Sequence, residues 1–141
     1  MAKMIKEESQ AFLSYGTRTG KIATVRKDGA PHITPIWFVL DGDDLIFTTG
    51  DHSAKAMHVR RDPRVTICVD EEKPLYAFVI VEGTATLSDD LDAMLPWATQ
   101  IAARYMGADR AEEYGRRNAV AGELLVRVTP TRIIAEKDVA G

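Results

Sequence analysis

The sequence contains one cysteine, Cys68, among 141 residues. No intrachain disulfide can brace the chain, so its cohesion has to come from a packed core. Cys68 lies in the apolar run Val65 to Val69 and reads as a small buried hydrophobe, with no activating neighbour to make it a nucleophile. The three histidines and the cysteine show no metal-ligand spacing: His52 and His58 do not fall on one face of a helix. No apolar run approaches the roughly 20 residues of a membrane-spanning helix. The opening segment, Met1 to Gln10, lacks the apolar centre of a signal peptide, so a cytoplasmic location is expected. A basic excess is also missing. The 18 basic residues stand against 21 acidic ones, a formal net charge of -3, which argues against nucleic acid as a partner. There is no Ser/His/Asp set, no defensible carboxylate pair and no Walker-type phosphate loop. These absences suit a protein whose chemistry resides in a bound cofactor, with the chain supplying position and electrostatics.

What is present fits one ordinary domain over residues 1–141. Hydrophobic residues make up 45% and charged residues 28%, enough for a normal core under a solvated surface. A short helix is expected from Lys6 to Tyr15, ending at Gly16. Six strands follow from β-branched and alternating patterns: Gly20 to Arg26, Pro31 to Leu40, Leu45 to Thr49, Arg64 to Asp70, Leu75 to Leu87 and Glu123 to Val128. Arg132 to Ala135 extends the last one beyond Pro130. Asp28-Gly29 supplies a hairpin turn. Pro35 inside the second strand marks an edge or a bulge, because it has no amide to give to a ladder. Gly83 marks a bend or a close approach. One helix separates the third and fourth strands, from about His52 to Arg61, stopped by Asp62-Pro63. A pair of helices, Leu91 to Tyr105 and Asp109 to Arg117, separates the fifth and sixth. Few helices and closely spaced strands point to a mainly β fold, a six-stranded barrel that closes its edges.

The stretch Leu45 to Pro63 carries the clearest chemistry. A strand breaks at Gly50 and opens a helix that Asp51 or Ser53 can cap. Lys55 stands in its first turn. Free amides, a hydroxyl and a lysine at a helix N-terminus form an anion site, and a phosphate is the expected anion. His32, at the start of the second strand, is a candidate polar contact or proton donor. Tyr76 and the 105–120 segment are candidate substrate walls.

Several segments occur in one order: Gly20-Lys-Ile-Ala-Thr-Val-Arg-Lys-Asp-Gly-Ala-Pro-His, Pro35-Ile-Trp-Phe, Thr48-Thr-Gly, Ser53-Ala-Lys55, Arg61-Asp-Pro-Arg-Val and Val81-Glu-Gly-Thr-Ala. The set resembles the split β-barrel flavin-binding superfamily typified by pyridoxamine 5'-phosphate oxidase. Within it, the set is similar to the flavin/deazaflavin oxidoreductases that use coenzyme F-420 (8-hydroxy-5-deazaflavin). The resemblance implies a six-stranded split barrel and a homodimer with cofactor sites at the subunit interface. It implies that Ser53 and Lys55 bind phosphate after the turn Thr48, Thr49 and Gly50. It also implies that Thr34, Pro35, Ile36 and Trp37 lie along the tricyclic ring, and that Arg60, Arg61 and Arg64 meet an oligoglutamate tail. Ala54 stands where the oxidase proper tends to carry a basic residue. That favours a monoanionic phosphodiester, and hence coenzyme F-420, over the FMN phosphate dianion, with FMN the alternative. The expected activity is hydride transfer from the reduced deazaflavin to a small conjugated or quinone-like acceptor. The rival readings are an FMN-dependent oxidase or reductase and a non-catalytic carrier.

Overall fold

The computed structural model describes all residues, Met1–Gly141. In chain order the elements are β1 (Ala2–Lys3), α1 (Lys6–Ser14), β2 (Gly20–Val25), β3 (Pro31–Ile36), β4 (Val39–Asp41), β5 (Asp44–Gly50), α2 (Ala54–Arg61), β6 (Arg64–Glu71), β7 (Ala77–Ser88), α3 (Leu91–Met106), a 3-10 turn (Ala108–Arg110), α4 (Ala111–Asn118) and β8 (Glu123–Lys137). All strands pair antiparallel in one sheet of order β3-β2-β6-β7-β8-β5-β4, with β1 added to the end of β8. The sheet curls round a core of 15 buried residues, among them Ile22, Phe38, Phe47, Ile67, Val81 and Val126. The mainly β class stands, with eight strands in place of six.

Two departures account for the added strands. The segment expected as one strand, Pro31 to Leu40, is interrupted at Trp37-Phe38. The Phe38 amide donates to Tyr105 Oη at 3.2 Å, and its carbonyl accepts from Arg104 Nη1 at 2.6 Å. Side chains from the end of α3 thus take the backbone groups that a ladder would have used. The second addition is the two-residue β1, which pairs with Glu136 and Lys137. At the other end of the chain, β8 runs unbroken through Pro130. The register shifts between Glu82 and Gly83, so Thr131 is left over as a bulge, where a proline is tolerated. Gly83 is required there: a Cβ would lie 2.5 Å from the Thr129 carbonyl oxygen.

Pro35 sits on β3, an edge strand bonded to β2 alone. Leu75 and Tyr76, expected to open the long strand, precede it. Tyr76 has a left-handed φ of 68°, and its carbonyl accepts from the Val139 amide at 3.2 Å. β5 is buried on both faces. Leu45 and Phe47 enter the main core, while Ile46 joins Met94 and Leu125 in a second cluster under α3. That second cluster holds the helical pair against the sheet.

Candidate functional site: a cleft between the strand-helix corner and the helical pair

The corner forms as its sequence dictates. β5 ends at Gly50, whose carbonyl accepts from the Ser53 amide at 3.1 Å, and residues 51–53 make a turn. The helix therefore starts at Ala54, not at His52. Ser53 caps it: its Oγ accepts from the Ala56 amide at 3.2 Å. The same oxygen accepts from Thr49 Oγ1 at 2.9 Å. With both acceptor positions filled, the hydroxyl proton of Ser53 is the group left to donate outward. The amides of Ala54 and Lys55 have no protein acceptor. Lys55 Nζ reaches Thr34 Oγ1 at 3.4 Å and makes no ion pair. One ammonium, one hydroxyl and two amides at the N-terminus of a helix suit a singly charged phosphate.

A cavity of about 340 Å³ opens at this corner, lined by Pro35, Ile36, Trp37, Thr48, Thr49, Lys55, Ile101 and Asn118. The structure thereby brings Pro35, Ile36 and Trp37 together with Thr48, Thr49 and Lys55 around one cavity. Ser53 stands directly behind Thr49, and Ala54 is exposed on the first helical turn. A second cavity of about 290 Å³ shares Trp37, Ile101 and Asn118 with the first and continues to Ala102, Met106, Tyr114 and Arg117. The cleft is thus the junction of two compartments. Larger hollows exist, one of about 600 Å³ between β1, α1 and β8, but none of the expected site residues lines it.

The far wall comes largely from the 105–120 segment, as expected, but the contacts that hold it were not legible in sequence. Trp37 is stacked on Tyr105, with ring centroids 5.0 Å apart and planes 2° from parallel. Tyr105 Oη donates to the Arg18 carbonyl at 2.8 Å. Arg104 donates to the carbonyls of Leu13, Gly16 and Phe38 at 2.7, 2.8 and 2.6 Å. Burial pulls its guanidinium below the ordinary value and pushes the Tyr105 phenol above its own. Arg104-Tyr105 therefore anchors α3 to the end of α1 and to the β3–β4 link, and presents Trp37 to the cleft. Tyr114, Arg117 and Asn118 reach it on α4, which crosses α3 at Gly115. A Cβ there would lie 2.2 Å from Thr99 Oγ1 and 3.0 Å from Thr99 Cα, so glycine lets the two helices approach this closely.

Other expected site residues lie outside the cleft. Arg60 Nη1 donates to the Asp51 carbonyl at 2.7 Å and steadies the corner turn. Arg61 donates to the Val25 carbonyl. Arg64 grips Asp62 through two nitrogens at 3.0 and 2.8 Å, and that pairing holds the Asp62 carboxyl down at about 2. All three arginines thus have partners within the chain. His32 packs edge-on against His58 with centroids 5.2 Å apart, and its buried Nδ1 has no partner. His58 Nδ1 is bonded to Thr24 Oγ1 at 2.9 Å. Burial, then His32, Arg61 and Arg26, hold His58 below the ordinary imidazole value. Tyr76 lines neither compartment, and burial pushes the Cys68 thiol up, away from reactivity.

The family model described as pyridoxamine 5'-phosphate oxidase matches residues 5–136. The chain belongs to the pyridoxamine 5'-phosphate oxidase family. A conserved protein of Mycobacterium tuberculosis superposes with a TM-score of 0.86 at 25% identity, covering 98% of this chain and 89% of the other. An F-420 reductase superposes with a TM-score of 0.68 at 25% identity, covering 88% of this chain and 94% of that one. An FAD-binding protein of Mesorhizobium loti, at 20% identity and a TM-score of 0.69, covers 95% and 93% and shares the fold. The barrel is therefore a split barrel of a flavin-binding family that includes oxidoreductases.

Proposed function

We propose that this chain is a coenzyme F-420-dependent oxidoreductase that reduces a small conjugated or quinone-like acceptor. The observation that carries the reading is the meeting of Lys55, Thr48 and Thr49 with Pro35, Ile36 and Trp37 around one cavity. Lys55, the Ser53 hydroxyl and the free amides would hold the phosphate of the cofactor. Thr34, bonded to Lys55, orients that ammonium. Pro35 to Trp37 would line the ring. When bound, a reduced deazaflavin supplies a hydride from the ring carbon that replaces the reactive flavin nitrogen. The chain contributes proximity, which is able to lower a barrier by several kcal/mol. Trp37, Ile101 and Met106 keep water from the acceptor side. His32 would act on the acceptor only by turning away from His58, so a solvent proton completes the reduction.

A homodimer with the cleft at its interface is part of this proposal, as is a cytoplasmic location. Exposed apolar side chains beside the cleft, Ile33 at 65% and Trp37 at 46%, support a covering partner copy. No helix is long and apolar enough to cross a membrane. FMN is the second reading, favoured by the family itself and by the FAD-binding neighbour. Against it stands Lys55 as the one cation lining the inner cavity, which is sparse for a dianion. Side-by-side titration of FMN and coenzyme F-420 into one cofactor-free sample decides the matter. The expected result is tight binding of the deazaflavin and weak binding of FMN. A yellow protein that retains FMN through purification sinks the deazaflavin reading. A sample that binds reduced deazaflavin but oxidises it with no acceptor is a carrier.

A further inference from the structure

The outer compartment has a chemistry of its own. Trp37, Ile101 and Met106 give it an apolar floor, and Tyr114, Arg117 and Asn118 form its rim. The Tyr114 ring carries two cations. The guanidinium of Arg110 lies 4.6 Å from its centroid and that of Arg117 lies 5.5 Å from it. Arg110 also donates to Tyr114 Oη at 2.6 Å. Neither arginine makes an ion pair, whereas their neighbour Arg116 faces Glu112 at 3.9 Å.

Helix electrostatics accounts for one of these cations only. Arg117 is in the last turn of α4, where positive charge is favoured. Arg110 is at the opposite end, the N-cap position, where the helix dipole opposes a cation and where its side chain makes no cap. Two guanidiniums thus gather at one ring with no carboxylate partner, in a chain whose net charge is -3. An anion on the Arg117 fork supplies the missing partner, and a planar carboxylate matches that fork with two parallel hydrogen bonds.

We infer that the outer compartment takes a flat conjugated acceptor bearing a carboxylate, with the flat part against Ile101 and Met106 and the carboxylate on Arg117. Asn118, shared by both compartments, stands where acceptor and cofactor meet. Arg110 does not line the cavity; it is a positioning residue that holds Tyr114. This inference rests on the reading of the inner compartment as the cofactor site, yet it can be tested without any cofactor.

The probes are 2-naphthoate and its neutral counterpart 2-naphthamide, titrated calorimetrically into the intact chain. The carboxylate should bind about tenfold more tightly, the worth of one charge-assisted pair at a half-open site. Added salt should narrow the gap. Arg117→Gln should erase the preference and leave naphthamide unchanged, and Arg117→Lys should restore part of it. Arg110→Gln should weaken both probes by loosening Tyr114. Equal binding of the two probes, binding of neither, or a preference that survives Arg117→Gln overturns the inference. Comparison of tailed coenzyme F-420 with its tail-less ring fragment adds a third arm. If Arg117→Gln weakens only the tailed form and leaves naphthoate untouched, the arginine serves the tail and the inference falls. Naphthoate binding without affinity for FMN or deazaflavin leaves the carboxylate site standing and removes the oxidoreductase reading.

Discussion

The two walls of the cleft are built in different ways. The corner wall is local: Thr48, Thr49, Ser53 and Lys55 are near neighbours in the chain, and each reaches its place through one turn and one cap. The helical wall is assembled at long range. Arg104 and Tyr105 reach back to Leu13, Gly16, Arg18 and Phe38, and only then does Trp37 gain its stacking partner. A locally built wall can change its binding properties without unsettling the fold, whereas a wall built across the chain carries stability as well as shape. Substitutions in the two walls should therefore fail differently.

The largest effect is expected at the long-range anchor. Arg104→Ala leaves three carbonyls without their donor and removes the contact of the guanidinium with the Phe38 ring, 4.7 Å from its centroid. A loss of about 3–5 kcal/mol in unfolding free energy follows, measurable by denaturant titration. Arg104→Lys should recover only a minor part, because an ammonium cannot span three acceptors spread round a planar fork. A loss within about 1 kcal/mol would mean that the helical wall stands without its anchor, and the contrast between the walls would collapse.

At the corner the effect should be on binding. On the proposed reading, Lys55→Ala removes the one cation lining the inner cavity, and cofactor affinity should fall by about 1.5–3 kcal/mol. The denaturation midpoint should stay where it is, since the Lys55 ammonium has a single long contact, 3.4 Å to Thr34 Oγ1. Unchanged affinity removes Lys55 from the site. An unfolded variant would show that the corner is not the independent module described above.

A smaller effect tests the crossing of α3 and α4. Gly115→Ala sets a methyl 2.2 Å from Thr99 Oγ1 and 3.0 Å from Thr99 Cα. The helices have to separate, at a cost of about 1–3 kcal/mol. Adding Thr99→Ala should return the part that belongs to the hydroxyl and leave the part that belongs to the Thr99 backbone. Full recovery would show that the close approach is a matter of one flexible side chain.

The difference between the walls also explains what could be read from the sequence. The strand end, the Ser53 cap and the first-turn Lys55 were legible because they are neighbours in the chain, and short-range rules suffice for them. Gly83 was legible as a close approach, although the Thr131 bulge that demands it was not. The break at Phe38 could not be read, because its cause is the end of α3, distant along the chain. The contacts of Arg60 and Arg61 could not be read, since the sequence does not show which carbonyls stand opposite them; the fold brings those of Asp51 and Val25 within reach. Gly115 had no local signal. A glycine in a helix acquires its meaning only from Thr99 across the hairpin.

The smallest expected effect probes the electrostatics of the corner itself. Glu123 pairs with Gly50 in the ladder, and burial, reinforced by Asp51, raises its carboxyl above the ordinary glutamate value. The folded state thus holds this proton more tightly than the unfolded chain does. Stability from this group is at its fullest below the unfolded value of 4.5 and declines as pH rises through the raised folded value. Above that window a constant penalty remains. Glu123→Gln removes it, so the variant should gain stability at neutral pH and none near pH 4. The half-buried position and solvent screening keep the gain below about 1 kcal/mol. Thermal midpoints of both proteins at the two pH values provide the test. A gain of equal size at both would assign the effect to packing and withdraw the claim that a negative charge beside the phosphate corner burdens the folded state.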